Sequence, residues 1–499
     1  MKYIYYALVT TICMIATTAY SQQIQWISST NTKCWAKNTI NIENVKSNCK
    51  YDIIVNPQKS YQTIEGFGSC FNELGWQSLN SLNEAQRNSI LSELYAPNKG
   101  ANFTLGRMPV ASNDFSINYY SYDETDGDFD MKNFSIAHDK STLLPFIKAA
   151  MRFQPKLKLW ASPWCPPKWM KKNKHYAENS SEKWNAMVSA YIHNLTKEQA
   201  SDPLRFRITT LNNDTPTDSM GYEGVTSFNM DKKYLKAYAS YFGKFVDAYK
   251  KNGVNIYMVM PQNEPNSAQP YPSCSWTSKD LNTFVGKYLG PEMTKHNVKV
   301  FFGTIERPDP LKVDTIINDP YSKQYVKGVG FQWAGKDALP TIYKQNTKLA
   351  LYGTEQECGN GLNNWEGAMH SWELMKHYFN NGVNAYFYWN TALFANKAST
   401  WGWYQNSLVT VDNKTKTYKF TPEYYVMKHV SHFVKHGAKR IEVAGKDKNV
   451  LAFINPDKSI IVVVGNSSNM KKSITIKILN HQIRPTILPK SLNTFYINK

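Results

Sequence analysis

Glu264 closes the run Met258-Val-Met-Pro-Gln-Asn-Glu-Pro265, and Glu355 closes Leu349-Ala-Leu-Tyr-Gly-Thr-Glu355. A carboxyl group can hold a proton for a leaving group or attack an electron-poor carbon. Two of them divide those tasks when their surroundings push their pKa values apart. Each follows a short apolar segment that reads as a strand, and folds that alternate strands with helices gather their chemistry at the carboxyl ends of strands. The pair therefore suits acid-assisted displacement, with Glu264 as general acid/base and Glu355 as nucleophile. A single carboxylate after a strand is ordinarily solvated or salt-bridged; two at matching positions point to a site. Glu357 competes for the nucleophile's role, because residues two apart in an extended segment face the same way.

The chain can surround such a pair with what a sugar pocket requires: rings for apolar sugar faces, and amides, carboxylates and guanidinium groups for hydroxyls. Trp160-Ala-Ser-Pro-Trp164-Cys-Pro-Pro-Lys-Trp169 and Tyr386-Phe-Tyr-Trp389-Asn390 supply rings, with Trp164 and Trp389 favoured by their place at strand ends. Asn263 adjoins Glu264, and Gly106-Arg-Met-Pro-Val-Ala-Ser-Asn-Asp114 offers Arg107 and Asp114 to bind hydroxyls or brace a carboxylate. No Cys-x-x-Cys pair is present, so zinc and redox motifs have no support. Cys165 and Cys358 adjoin these segments and read as small buried filler, since no histidine partner for a thiolate is evident.

Eight short β-rich runs could position these side chains: Ile64 to Gly68, Phe103 to Arg107, Leu157 to Ser162, Ile256 to Pro261, Val300 to Gly303, Gly328 to Gln332, Leu349 to Thr354 and Ala385 to Trp389. Amphipathic stretches lie between them, as in Tyr234 to Tyr249, where apolar residues recur at three- and four-residue spacing. The expected fold is α/β, a (β/α)8 TIM barrel over 61–430, with both glutamates on its catalytic face. Beyond it, Asn449-Val-Leu-Ala-Phe-Ile, Ser459-Ile-Ile-Val-Val-Val-Gly and Ser473-Ile-Thr-Ile-Lys-Ile-Leu read as an attached antiparallel β-sandwich over 431–499, to which the segment 22–60 contributes through Tyr51-Asp-Ile-Ile-Val. The polar stretch Ser201 to Met230 reads as a loop inserted between the third and fourth barrel strands.

Residues 1–21 carry Lys2, an apolar stretch from Tyr3 to Ala16 and then Ala19-Tyr-Ser21, the layout of a cleavable signal peptide. The run is short for a membrane span and no stop-transfer segment follows, so a secreted or periplasmic protein is expected, with no stable membrane span. Cys13 lacks a preceding lipobox, which speaks against lipoprotein attachment. Six cysteines follow the leader, and an oxidising compartment permits disulfides without spacing revealing their pairing. The formal charge of +19 is spread along the chain rather than gathered into a nucleic-acid module, so no nucleic-acid partner is expected and a solvated basic surface is the plain reading.

Taken together, Glu65-Gly-Phe-Gly68, Arg107-Met-Pro-Val-Ala-Ser-Asn-Asp-Phe-Ser116, Ala161-Ser-Pro-Trp164, Asn263-Glu-Pro265, Thr354-Glu355 and Trp389-Asn390 resemble glycoside hydrolase family 30, which includes glucosylceramidases and β-1,6-glucanases. The resemblance runs from about Tyr61 to the C-terminus. It implies a retaining double displacement with no metal and no cofactor, Glu264 as acid/base and Glu355 as nucleophile. It further implies that Asp114, Trp164, Asn263 and Trp389 line the glycosyl subsite, and that Arg107 braces the nucleophile. The substrate would be a β-glucoside oligosaccharide, polysaccharide or glycolipid. After the sixth strand, glucosylceramidases resemble His-Trp-Tyr, whereas this chain has Phe331-Gln-Trp-Ala-Gly335, closer to the β-1,6-glucanase branch. The reading expected is a β-glucosidase or β-1,6-glucanase, with a glucosylceramidase or a non-catalytic glycan-binding protein as alternatives.

Overall fold

The computed structural model describes residues 23–45, 49–179, 221–345, 348–395, 397–402 and 404–498. The expected leader and most of the expected Ser201 to Met230 insertion lie outside these residues. The chain opens with four strands, β1 (Gln23–Ser29), β2 (Ala36–Asn41), β3 (Glu43–Asn44) and β4 (Ile53–Thr63). Eight parallel strands then close into a barrel: β5 (Gly66–Cys70), β6 (Leu105–Pro109), β7 (Lys158–Ser162), β8 (Ile256–Val259), β9 (Lys299–Ile305), β10 (Val326–Gln332), β11 (Ala350–Glu355) and β12 (Ala385–Asn390), with β12 pairing back onto β5. Each of the eight expected runs overlaps one barrel strand, most boundaries differing by one or two residues.

Alternation decides which side chains fill the barrel. Leu105, Trp160, Met258, Met260, Phe301, Tyr352, Ala385 and Phe387 form one buried cluster inside it, a packed plug rather than a pore. The helix Lys232–Lys251 is typical of the outer layer: its buried face runs Leu235, Tyr238, Phe242, Phe245, Val246 and Tyr249, while its last turn carries Lys250 and Lys251, favourable at the negative end of the helix dipole. Glu65, conspicuous in the sequence, accepts a hydrogen bond from Tyr352 Oη at the base of the barrel, and Tyr257 Oη lies 3.1 Å from Tyr352 Oη.

The C-terminal β-sandwich is built from a ten-stranded sheet that draws on both ends of the chain. β1 pairs with Ser491–Ile497 and β4 with Lys439–Ala444, so residues before the barrel complete a sheet made mostly from residues after it. Its pairings are antiparallel except for Ile476–Ile478, which runs parallel to β4. The strand Ile460–Asn466 shows why the run Ile-Ile-Val-Val-Val is continuously apolar. Ile460, Val462 and Val464 face the sandwich interior, whereas Ile461 and Val463 face a core continuous with the barrel helices. A strand buried on both faces has no use for polar alternation. No helix among the described residues is long and apolar enough to cross a membrane.

Candidate active site

Arg107, two residues after Leu105 on β6, points into the carboxyl end of the barrel and is fully buried. Its Nη1 donates to Glu355 Oε2 at 2.7 Å and to the Thr354 carbonyl at 3.3 Å, and its Nη2 donates to Asn263 Oδ1 at 2.7 Å and Ser162 Oγ at 3.1 Å. One guanidinium thus joins the ends of β6, β7 and β11 to the segment after β8. Its planar fork suits that work better than a lysine ammonium would. Three indoles pack against it, with centroids 4.9 Å (Trp160), 4.6 Å (Trp164) and 5.3 Å (Trp389) from the guanidinium carbon. Trp164 and Trp389 also stack on each other at 5.1 Å. Each is at most 2% exposed, so these rings hold Arg107 in place rather than lie open as sugar platforms.

Glu264 sits just past β8 with φ of 47°, in the left-handed region that costs a residue bearing a side chain about 1–2 kcal/mol. The turn is pinned from several directions. The Glu264 amide donates to Thr304 Oγ1 at 3.1 Å, the Ser267 amide to the Glu264 carbonyl at 3.0 Å, and Glu306 Oε1 accepts from the Asn266 amide at 2.7 Å. Strain retained at the mouth of a barrel by so many contacts is characteristic of a functional position.

The two glutamates differ in environment. Burial pushes Glu264 well above the ordinary carboxyl range, and the charges of Glu355 and Glu306 add to it, opposed by a bond from Gln332. Burial raises Glu355 as well, but Arg107, Trp333 Nε1 at 2.9 Å and Gln332 all favour its ionised form. The pair is thereby set up as one protonated and one charged carboxyl. Burial also lifts Asp114 well above its usual range, with the Glu355 charge adding to the rise. Asp114 Oδ1 and Trp389 Nε1 have no hydrogen-bond partner among the described residues.

Glu357 is set apart from this arrangement. It pairs with Lys336 Nζ at 2.7 Å and His370 Nε2 at 2.8 Å, and the bond from His370, with Lys336 assisting, pulls its carboxyl down to about 2. The expectation that it could face the same way as Glu355 fails because β11 ends at Glu355, so strand alternation does not extend to Glu357, whose carboxyl is taken up by Lys336 and His370.

Two residues outside the expected set complete the centre. The pairing of β10 with β11 slips between Phe331 and Gln332, which brings Gln332 opposite Glu355. A slip of this kind re-aims a side chain at a strand's end. Gln332 Nε2 then lies 3.0 Å from Glu264 Oε1 and 3.3 Å from Glu355 Oε2. Trp333, with φ of 45° and half-buried, is the aromatic ring hydrogen-bonded to Glu355. The sequence signal for both was their place at the end of a barrel strand, but strict alternation does not foresee the slip. Cys34, Cys49, Cys70, Cys165, Cys274 and Cys358 are all free thiols.

The Glycosyl hydrolase family 30 TIM-barrel domain matches residues 64–215 and 213–434, and the family's beta sandwich domain matches 437–495. The chain belongs to glycosyl hydrolase family 30 and is a glycosidase. Among family 30 relatives, the Lysosomal acid glucosylceramidase of Mus musculus is 25% identical over 454 residues, covering 85% of this chain and 79% of that protein. The Endo-1,6-beta-D-glucanase of Neurospora crassa is 25% identical over 466 residues, covering 86% and 84%. The crystal structure of SrfJ from Salmonella typhimurium superposes with a TM-score of 0.80 at 21% identity, covering 96% of this chain and all of that one, a likeness of fold.

Proposed function

We propose that this chain is a secreted retaining β-glycosidase that hydrolyses β-D-glucosidic bonds by double displacement, acting on a β-1,6-glucan or a short β-glucoside. The observation that carries the reading is the amide shared by the two glutamates. Legs of 3.0 and 3.3 Å meeting at one nitrogen keep Glu264 Oε1 and Glu355 Oε2 within about 6.3 Å of each other. A retaining pair stands roughly 5–5.5 Å apart, whereas an inverting pair opens to about 6.5–9.5 Å to admit water. In this reading Glu264 protonates the departing oxygen while Glu355 attacks the anomeric carbon. Glu264 then draws a proton from the water that releases the glycosyl ester. Arg107, backed by Trp164 and Trp389, braces Glu355, and Asp114 and Asn263 shape the glycosyl subsite. Export rests on the composition of residues 1–21.

A second reading, hydrolysis of glucosylceramide, has the mouse relative in its favour. The segment after β10 weighs against it. Ala334 contributes only a methyl group, and a side chain at Gly335 would run into the Ile305 carbonyl, so this loop cannot present the bulk expected of glucosylceramidases there. Chromatography of products from a β-1,6-glucan and from detergent-dispersed glucosylceramide separates the two. Gentio-oligosaccharides from the glucan alone support the first, and glucose with ceramide from the lipid alone overturns it. Proton NMR of the first-formed anomer tests the stereochemistry, and an α-product would end the retaining assignment. The N-terminal sequence of the exported protein tests cleavage near Ser21.

A further inference from the structure

The Gln332 amide cannot turn over. Its Oε1 lies 3.4 Å from Arg107 Nη1 and 3.1 Å from Thr354 Oγ1, and a guanidinium only donates, so the oxygen must face Arg107 and the nitrogen must face the glutamates. That nitrogen carries two N–H bonds and meets three acceptors: Glu264 Oε1, Glu355 Oε2 and, at 3.2 Å, Asn263 Oδ1. Asn263 Oδ1 already accepts from Arg107 Nη2 at 2.7 Å and from Thr304 Oγ1 at 3.1 Å, which occupies both of its lone pairs. The two N–H bonds of Gln332 are left for the two glutamates, one each.

We propose that Gln332 is a positioning residue that decides which oxygen of Glu264 carries the catalytic proton and supports the charge on either glutamate as the reaction moves it between them. The proposal rests on the retaining reading above. Because Glu264 Oε1 accepts from Gln332, the proton belongs on Oε2, which has no hydrogen-bond partner among the described residues. Glu355 Oε2 accepts from both Arg107 and Gln332, while Oε1 accepts, among the described residues, only from Trp333 and keeps a lone pair for attack. In the first half-reaction the Glu264 Oε2 proton passes to the glycosidic oxygen as the bond from that oxygen to the anomeric carbon breaks. Glu355 Oε1 bonds to that carbon, and the leaving alcohol departs neutral. In the second, a water oxygen bonds to the carbon as the ester bond to Glu355 breaks, and Glu264 Oε2 takes the water's proton. The negative charge rests on Glu355 before, on Glu264 between, and on Glu355 again after. One N–H of Gln332 is charge-assisted at every stage without the side chain moving.

The test is the pH dependence of kcat/KM for Gln332→Met, nearly isosteric but without an N–H, on an alkyl and a dinitrophenyl β-glucoside. The acid limb reports ionisation of Glu355 and the alkaline limb that of Glu264. Each carboxylate loses a donor to its charged form, so both limbs are expected to move to higher pH by about one pH unit. The alkyl glucoside should lose at least tenfold in kcat/KM and the dinitrophenyl glucoside less, because it needs little help from the acid. The other charged groups facing the pair, Arg107, Asp114 and Glu306, are unchanged in this variant. A drop in rate with both limbs in place would mean a merely structural role and would overturn the proposal. Thr354→Val, which keeps both glutamate contacts but removes one of the two donors to the amide oxygen, should give a smaller shift of the same sign, and it carries the test if the methionine variant fails to fold. Retained stereochemistry with unmoved limbs sinks the role of Gln332 alone, whereas an inverted product from the unmodified enzyme sinks the reading beneath it.

Discussion

At the scale of single residues, the centre is a network of charges that few side chains could replace. Glu264→Gln removes the proton but keeps the shape, and should lower kcat on alkyl glucosides by about 10²–10⁴-fold while sparing dinitrophenyl glucosides in the first step. Glu355→Gly should be inactive, and azide should restore turnover by entering the vacated space to yield a glycosyl azide of inverted configuration. Steady-state rates and NMR of the azide product check both, and no rescue with the fold intact would remove Glu355 from the nucleophile's role. Glu357→Gln should leave kcat within about twofold, since that carboxyl is bound to Lys336 and His370 away from the centre. Its effect should be on stability near neutral pH. A carboxyl pulled down to about 2 stabilises the fold above the ordinary glutamate pKa, and the gain is lost as pH falls toward 2. Acid unfolding curves of the two proteins should therefore converge at low pH and differ slightly near neutrality.

The elements are held by burial patterns that can be tested strand by strand. Ile461 and Val462 are neighbours on Ile460–Asn466, yet they face different cores. If one face of that sheet were solvated, truncating one of them would be silent. Both faces are buried, so Ile461→Ala should cost about 2–5 kcal/mol and Val462→Ala a little less, each seen as a lowered Tm. A silent substitution at either position would contradict the two-core arrangement. The aim of Gln332 is likewise a property of two elements and not of one. Counting alternate residues along Gly328 to Gln332 gives its strand but not its aim, which comes from the slip against β11.

On the scale of the whole molecule, the barrel and the sheet are joined through a buried histidine. His429, on the helix Pro422–Ser431, has Nδ1 2.8 Å from Thr494 Oγ1 and Nε2 2.8 Å from Ser29 Oγ, so it ties a barrel helix to strands from both ends of the chain. Burial, with the Lys428 charge assisting, drives it down to about 3. The unfolded chain titrates its histidines near 6.5, so between about pH 6.5 and pH 3 it binds a proton here that the folded chain does not. Stability from this group is complete above about pH 6.5 and declines as pH falls. The Tm should drop between pH 7.5 and pH 5, and His429→Gln should flatten that slope while lowering the Tm at neutral pH. An unchanged slope would mean that other groups govern the acid response.

Much of this was legible before any tertiary contact was considered. The eight apolar runs, their spacing and the two glutamates at strand ends follow from local rules: strands need alternating or continuous apolar residues, and barrels place chemistry at one end. Family motifs carry Arg107, Asn263, Glu264 and Glu355 to the same place, and the structure unites these four in one hydrogen-bonded network. What the linear order could not decide was every feature that depends on two distant segments meeting. The slip of β10 against β11 aims Gln332, and the packing of Trp164 and Trp389 onto Arg107 turns expected platforms into supports; that segment 22–60 joins the C-terminal sheet was expected, but which strands β1 and β4 pair with was not. Residue type and periodicity are properties of one segment, whereas register and burial belong to pairs of segments and exist only once the chain has closed on itself.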